Sequence, residues 1–327
     1  MGGNCLKKTF TRRYQRDEYF ELCDKVTARL WKFGYFYNTH IVDAYHSKDS
    51  FGDMDIIYTT FNDRPLYVED VQLMFPESKE IVRNTHVISF EMCEFQIDMI
   101  HCPHNEYWYS KGYFSYNDVA GNLVGKIAHR FGLKHGHDGL SLEVRDDNHV
   151  YGRVYLTQDF DTALEFLGLD VDRYQQGFDT LEEAFEWVSA SKFFSPDDYE
   201  LENLSHAGRI RDKKRTTYQK FLAWTKTRQF DVINVEKGWI NNQDFIYSNF
   251  PSIRDEVERL AANVAVDRYV KNKFNGKIVS ELTGLTGKEL GLFMKHLRSL
   301  TKFSDSSLVL LTDDQIRDNI RSTVSKD

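Results

Sequence analysis

The strongest constraint on the fold is one acidic segment, Ser47-Lys-Asp-Ser-Phe-Gly-Asp53-Met-Asp55-Ile-Ile-Tyr58. Side chains alternate between the two faces of a strand, so Asp53 and Asp55 would point the same way while Met54 turns to the other side. Gly52 allows a tight turn from loop into strand. The apolar residues that follow indicate burial. The sequence therefore predicts a buried strand that presents two neighbouring carboxylates.

A third acid lies in the segment Phe95-Gln-Ile-Asp98-Met-Ile100, where alternation leaves Gln96 and Asp98 on the face opposite the apolar residues. Adjacent carboxylates repel and are costly to desolvate together, so they usually hold a cation or a shared proton. Three carboxylates on two strands can hold two metal ions about 3.5–4 Å apart, which activates a 3′-hydroxyl for attack on a triphosphate. The alternative is a solvated strand end, because Asp-x-Asp pairs are common by chance.

Hydrophobic periodicity predicts the surrounding elements. Helical spacing of apolar residues predicts a helix over 19–31, and a second helix is expected over 118–131. Short apolar segments predict strands at 55–58, 66–68, 95–100 and 140–144. After residue 155 the pattern is almost wholly helical. This distribution predicts an α+β fold class.

Residues 40–195 contain four motifs in a fixed order: Ser50-Phe-Gly-Asp-Met-Asp-Ile-Ile-Tyr58, Gln96-Ile-Asp98, Tyr113-Phe-Ser-Tyr-Asn-Asp118 and Asp179-Thr-Leu-Glu-Glu-Ala-Phe-Glu-Trp187. They resemble the DNA polymerase beta superfamily of nucleotidyltransferases, and within it the family X polymerases. The first two motifs are similar to the aspartate strands of that family. The third is similar to the segment that contacts the sugar and base of the incoming nucleotide, and the fourth resembles a helix of the thumb subdomain.

The resemblance implies a palm with a mixed sheet and helices, followed by a mostly helical C-terminal module. We expect an N-terminal helical segment (1–39), a palm (40–155), a thumb-like subdomain (156–202) and a basic nucleic-acid-binding module (203–327). It also implies that Asp53 and Asp55 bind two Mg²⁺ or Mn²⁺ ions. Asp98 would bind the catalytic ion and help to deprotonate the attacking hydroxyl.

The same resemblance assigns the nucleotide contacts. The superfamily carries a Gly-Ser pair about ten residues before the first aspartate, where this chain has Val42-Asp43-Ala44. The triphosphate would then be held by the following loop, and the sugar and base by the third motif, in which Tyr116 replaces a glycine. The residues expected to bind the nucleotide are Ser47, Lys48, Ser50, Tyr113, Phe114, Asp118 and Asn122.

The net charge of −8 is unevenly distributed along the chain. Residues 205–302 hold 19 Lys/Arg and 10 Asp/Glu, a net charge of +9, whereas residues 1–204 hold 20 against 35, a net charge of −15. A basic segment in an acidic chain indicates phosphate binding, because each neutralised phosphate releases counterions. The residues expected to contact nucleic acid are Arg209, Arg211, Lys213, Lys214, Arg215, Lys277 and Lys288. The cluster 209–215 is also typical of a solvated helix start or a nuclear localisation signal.

Residues 274–295 are similar to the tail of CCA-adding tRNA nucleotidyltransferases and bacterial poly(A) polymerases, which points towards RNA. There, Gly284 and Gly287 would let a helix N-terminus approach a phosphate; the alternative is a packing corner between two helices. The chain has no apolar run of roughly 20 residues. Its four cysteines form no C-x-x-C pair. We therefore expect a cytoplasmic protein that does not bind a membrane.

These observations lead to one hypothesis and two alternatives. The chain is expected to be a metal-dependent nucleotidyltransferase that transfers a nucleoside monophosphate from an NTP to a nucleic-acid 3′ end, on RNA or tRNA. The first alternative is a compact family X-like DNA polymerase. The second is a catalytically silent RNA-binding protein, because the Gly-Ser pair is missing.

Overall fold

The computed structural model describes residues 5–146, 149–232 and 236–324. Helices and a mixed sheet confirm the predicted α+β class. The chain forms two compact units: unit 1 comprises Met1–Leu142 and Tyr155–Pro251, and unit 2 comprises Glu143–Val154 and Ser252–Asp327. Within the described ranges, no helix has both the length and the apolar character needed to cross a membrane. The cytoplasmic location stays a prediction.

The sheet that carries the acidic residues lies in unit 1. Its first seven described strands are β1 (Tyr14–Gln15), β2 (Phe36–Ile41), β3 (Ser50–Phe51), β4 (Asp53–Thr60), β5 (Ile81–Asn84), β6 (Val87–Met92) and β7 (Phe95–His101). Five of them form one mixed sheet in the order β2-β4-β7-β6-β5, and β1 pairs with β3. β4 runs parallel to β7, whereas the other neighbours in the five-stranded sheet are antiparallel.

One face of this sheet is covered by α1 (Arg16–Phe33) and α2 (Val68–Met74). Val26 of α1 and Met54 and Ile56 of β4 are fully buried in the resulting core. The helix predicted over 19–31 is confirmed, and it ends at Gly34, whose φ of 63° is the left-handed conformation that glycine adopts readily. Because the apolar residues of β4 face α1, the alternate residues Asp53 and Asp55 are left on the opposite face.

The opposite face is covered at its far end by α3 (Tyr107–Phe114), through a small core of Ile57, Cys102 and Tyr107. A π-helical turn (Val119–Leu123) follows and leads directly into α4 (Val124–Arg130). The helix predicted over 118–131 is thus confirmed in extent, with an irregular first turn. A π turn is rare and occurs frequently at functional sites.

The chain continues through β8 (Lys134–Gly136), β9 (Gly139–Asp146) and β10 (His149–Thr157), which form a separate three-stranded sheet. The strand predicted at 140–144 is therefore confirmed. The remaining helices of unit 1 are α5 (Phe160–Phe166), α6 (Val171–Gln175), α7 (Leu181–Ser189), α8 (His206–Asp212), α9 (Thr216–Thr225) and α10 (Trp239–Asn249).

The strand predicted at 66–68 is wrong. Leu66 is buried, but its N–H donates to the hydroxyl of Tyr58 (2.9 Å) rather than to a neighbouring strand. α2 begins two residues later, and Asp70 accepts the N–H of Tyr67 (2.8 Å) at its first turn. A run of three apolar residues does not separate a strand from a buried helix start.

Unit 2 combines Glu143–Val154 with the helices α11 (Arg254–Lys273), α12 (Gly276–Thr283), α13 (Gly287–Ser299), α14 (Asp305–Leu310) and α15 (Asp313–Val324). Its own core contains the fully buried Val279, Leu297 and Ile316. Residues 203–251 of the predicted basic module belong to unit 1, and residues 252–327 belong to unit 2. The four predicted segments themselves stay predictions.

Candidate metal centre

Three carboxylates meet where β4 and β7 lie side by side. The parallel register places Asp55 directly beside Asp98, and Asp53 beside Gln96. One oxygen from each of Asp53, Asp55 and Asp98 lies within 4.8 Å of the other two. We call these three residues the acidic triad. Their common face is the one that strand alternation predicted, because the residues between them are buried in the core under α1.

The electrostatics of the acidic triad favour a bound cation. Burial raises the pKa of Asp55 well above its ordinary value, and the charges of Asp53 and Asp98 raise it further. Burial also raises the pKa of Asp98, against hydrogen bonds from Ser89 and Gln96 that lower it. Carboxylates that resist ionisation beside one another are stabilised by a hard cation, and an all-oxygen donor set is what Mg²⁺ or Mn²⁺ prefers. The residues present therefore fit the predicted ions.

Lys48 is the cation expected beside the acidic triad, and it lies close enough for Asp53 and Asp55 to act on its charge. Burial lowers the pKa of Lys48, and the two carboxylates partly offset this effect. Its Nζ donates to Oδ1 of Asn117 (3.0 Å) and packs over the ring of Phe51 (4.4 Å to the centroid). A neutral amide thus holds the ammonium of the half-buried Lys48.

The other two residues expected to hold the triphosphate are already engaged. Ser50 accepts hydrogen bonds on its hydroxyl from Arg13 (3.0 and 3.3 Å). The backbone N–H of Ser47 donates to the carbonyl of Asp179 (2.8 Å). Arg16 donates to the carbonyls of His46 and Lys48. Two arginines, Arg13 and Arg16, therefore contact this loop, in which the sequence predicted only one cationic side chain, Lys48.

A cavity of about 290 Å³ lies at the position of the missing Gly-Ser pair, with Arg16, Asp43 and His46 among its lining residues. Burial alone would raise the pKa of Asp43, but a hydrogen bond from His40 (3.1 Å) contributes to a net lowering. Asp43 is therefore an anion at neutral pH and would repel a phosphate.

Three consecutive residues with left-handed backbone border the acidic triad: Tyr116 (φ 62°), Asn117 (φ 55°) and Asp118 (φ 70°). Such a conformation costs on the order of 1–3 kcal/mol for a residue other than glycine and persists only where its surroundings hold it. Here the N–H of Tyr116 donates to the carbonyl of Asp43 (2.8 Å), Lys48 holds Asn117, and Arg215 donates to Asp118 (2.9 Å). Strain maintained in this way is common at functional sites.

The predicted sugar and base contacts lie around this turn. Tyr113 packs on the ring of His135 (5.2 Å between centroids), and Phe114 stacks on His137 (6.0 Å). Nε2 of His135 donates to the carbonyl of Ala120 (2.9 Å), so Nδ1 accepts from Tyr109 (2.7 Å). Burial lowers the pKa of His135 to about 4. A neutral histidine therefore fixes the π turn that carries Asn122.

The basic cluster at α8 adjoins the same turn. Asp212 is fully buried and accepts hydrogen bonds from Lys126 of α4 (2.6 Å), Arg211 (2.9 Å) and Asn122 (3.5 Å). Of the residues expected to contact nucleic acid, Arg215 is paired with Asp118, whereas Arg209, Lys213 and Lys214 are exposed. The buried Asp212 thus attaches the cationic end of α8 to α4 through Lys126, and to the π turn through the predicted nucleotide contact Asn122.

The other two predicted contacts, Lys277 on α12 and Lys288 on α13, are exposed in unit 2. Gly284 and Gly287 have φ values of 75° and 54°, and a Cβ placed on either would meet no described atom within 4 Å. These glycines are therefore required by backbone conformation, and they do not serve a tight packing of two helices. The packing-corner interpretation loses its support.

Sequence reasoning missed three residues that border the site. Arg13 reaches the loop from the residue before β1, and Arg16 reaches it from the start of α1. Nε2 of Gln96 donates to both oxygens of Asp98 (3.0 and 2.9 Å). Strand alternation had already placed Gln96 on the face of Asp98, so that contact could have been found. Each arginine is at least 30 residues away from its partner in the loop along the sequence. The local sequence pattern around the arginines does not indicate these contacts.

The comparisons with known proteins add no family assignment. No protein-family model matches this chain, and no curated protein matches it.

The Asp212 cluster leads to a prediction about stability. In Asp212→Asn, Lys126 stays buried without its charged partner, which should lower the free energy of unfolding by about 3–5 kcal/mol at pH 7. Although burial opposes it, hydrogen bonds from Arg211 and Lys126 lower the pKa of Asp212 in the folded protein. The stabilisation is therefore present above the ordinary aspartate pKa, about 4, and is lost as the pH falls through the lowered value.

Urea unfolding of both proteins from pH 7 to pH 2.5 measures this difference. The exposed Asp197→Asn is the matched control and should change the free energy by less than about 0.5 kcal/mol. An Asp212→Asn protein as stable as the wild type at pH 7 would contradict the role given to the cluster.

Proposed function

We propose that this chain is a metal-dependent nucleotidyltransferase that transfers a nucleoside monophosphate from an NTP to the 3′ end of an RNA, such as a tRNA. The main support for the proposal is the register of β4 and β7. It pairs Asp55 with Asp98, and Asp53 lies two residues before Asp55 on the same face of β4. Three ligand oxygens within 4.8 Å of one another fit divalent cations. Two Mg²⁺ or Mn²⁺ ions bound there would neutralise the triphosphate and lower the pKa of the attacking hydroxyl.

Each acid has a distinct part in this proposal. Asp53 and Asp55 lie at the start of β4 and present oxygens to both ions. Asp98 lies on the neighbouring strand, and its pKa is raised, chiefly by burial. A carboxylate with a raised pKa is a better proton acceptor, so Asp98 is the residue to take the proton of the 3′-hydroxyl on a carboxylate oxygen.

The triphosphate binds on the side of the loop that carries Lys48. Exchanging the amide of Asn117 for a phosphate oxygen would give the Lys48 ammonium an anionic partner. Arg13 and Arg16 contact the same loop and extend the cationic surface. In this arrangement the charged side chains of Lys48, Arg13 and Arg16 hold the triphosphate in place of the missing Gly-Ser pair.

The end of α3, the left-handed residues 116–118 (the strained turn) and the π turn bind the rest of the nucleotide. Tyr113, Phe114, Asp118 and Asn122 provide aromatic surface and hydrogen-bonding groups for sugar and base. Because Arg215 pairs with Asp118, the basic end of α8 is within reach of the same substrate. The exposed Arg209, Lys213 and Lys214 bind phosphates of the acceptor. Lys277 and Lys288, exposed in unit 2, are the other residues expected to bind nucleic acid.

Substitution of the acidic triad tests the activity. Asp53→Asn and Asp55→Asn should each lower incorporation of labelled nucleotide on the order of 10³-fold or more, because fixed charges that stabilise the transition state are lost. Each of the four NTPs and four dNTPs is offered with tRNA, single-stranded RNA and primed DNA, in Mg²⁺ and in Mn²⁺. Asp24→Asn, an exposed acid on α1, is the matched control and should keep the wild-type rate.

Untemplated addition to RNA supports the proposal. Primer extension that follows the template sequence would instead indicate a compact DNA polymerase. If the wild type incorporates nothing on any acceptor but binds RNA tightly, the protein is an RNA-binding protein and the proposed activity is wrong.

Salt-dependent RNA binding tests the acceptor surface. Lys213→Ala with Lys214→Ala should weaken tRNA binding and reduce the slope of log K against log salt by about 1 for each phosphate contact that is lost. The matched control is Lys25→Ala with Lys32→Ala, which removes the same charge from the exposed surface of α1. Equal effects in the two double variants would show that net charge alone, and not α8, governs binding.

A further inference from the structure

Residues 5–9, which we call the N-terminal strap, are fixed to unit 1 by one buried carboxylate. Glu80 accepts the backbone N–H groups of Lys7 (3.0 Å), Lys8 (2.7 Å) and Thr9 (2.9 Å), and also the hydroxyl of Thr9 (3.0 Å). The side chain of Leu6, the residue before these contacts, is buried. Four hydrogen bonds to one carboxylate give the strap a defined position, although it has no regular secondary structure.

The other end of the N-terminal strap reaches the metal centre. The N–H of Cys5 donates to Oε1 of Gln96 (3.1 Å), and Gln96 is almost completely buried. Nε2 of the same side chain donates to both oxygens of Asp98. A continuous path of hydrogen bonds therefore runs from the backbone of the strap to a member of the acidic triad.

The chemistry of the amide group makes this path directional. A backbone N–H can only donate, so Cys5 must face the oxygen of the Gln96 amide. The NH₂ group is thereby turned towards Asp98, where it meets an acceptor. In the flipped orientation the amide oxygen would face a carboxylate and the Cys5 N–H would face a donor, which is unfavourable at both ends.

We propose that Gln96 is a positioning residue of the metal centre and that the N-terminal strap holds it in its working orientation. This inference rests on the proposed function only in taking the acidic triad as the metal site. Gln96 touches no substrate; it sets the direction of the Asp98 oxygens. Residues that orient a metal ligand through a hydrogen bond typically change metal affinity 10–100-fold when they are replaced.

Two variants break the path at different points. Gln96→Leu keeps a side chain of similar size and removes both hydrogen-bonding groups. Glu80→Ala leaves the metal centre intact and releases the strap from its anchor. Glu77→Ala is the matched control, because Glu77 lies three residues from Glu80 and is engaged by Arg29 instead of the strap.

The measurement is Mn²⁺ binding to the full-length chain by isothermal titration calorimetry, with thermal unfolding of each variant as the test of folding. Gln96→Leu should weaken Mn²⁺ binding about 10–100-fold. Glu80→Ala should also weaken Mn²⁺ binding, by a smaller factor than Gln96→Leu. Glu77→Ala should leave Mn²⁺ binding unchanged. Unchanged binding in both Gln96→Leu and Glu80→Ala would overturn the proposal. If Gln96→Leu does not fold, Glu80→Ala alone decides the role of the strap.

Nucleotide incorporation against Mg²⁺ concentration separates this inference from the proposed function. In Gln96→Leu the half-saturating Mg²⁺ concentration should rise, and saturating Mg²⁺ should restore most of the rate. A variant that loses rate at every Mg²⁺ concentration would contradict a positioning role. If the wild type binds Mn²⁺ but incorporates no nucleotide, the proposed function is wrong, while weaker Mn²⁺ binding in the two variants still supports the inference.

Discussion

The repulsion among three carboxylates on two parallel strands is the constraint on which the rest of unit 1 depends. The strands bring Asp55 beside Asp98 because their apolar residues are buried together under α1. Burial raises the pKa of Asp55 and Asp98, so keeping these acids ionised side by side lowers the free energy of unfolding. A cation that binds the acidic triad would offset part of this loss, which couples metal binding to the stability of the sheet.

Several elements around the acidic triad supply positive charge or restraint. Lys48, Arg13 and Arg16 stand on one side, and the basic end of α8 stands on another. Between them, three left-handed residues are held by contacts to both sides. Under the proposed function, a substrate phosphate that binds Lys48 in place of Asn117, or Arg215 in place of Asp118, would release one of these restraints. Substrate binding would then be linked to the conformation of the strained turn.

Local pattern predicted the parts of the site that are close together in sequence. Strand alternation placed Asp53, Asp55 and Asp98 on one face, and periodicity located α1, β7 and β9. It failed at residues 66–68, where a short apolar run covers the start of α2. It also had no means of finding Arg13 or the N-terminal strap, because their contacts join segments 37 to 91 residues apart. Such contacts depend on the whole sheet being formed.

The anomalous scattering of manganese, measured from crystals grown with Mn²⁺ and a non-hydrolysable NTP analogue, would locate the ions and the nucleotide. We expect two manganese positions about 3.5–4 Å apart, in contact with Asp53, Asp55 and Asp98. We also expect the triphosphate to lie against Lys48. Manganese bound elsewhere, or an acidic triad that binds none at saturating concentration, would show that the acidic triad is not the metal site.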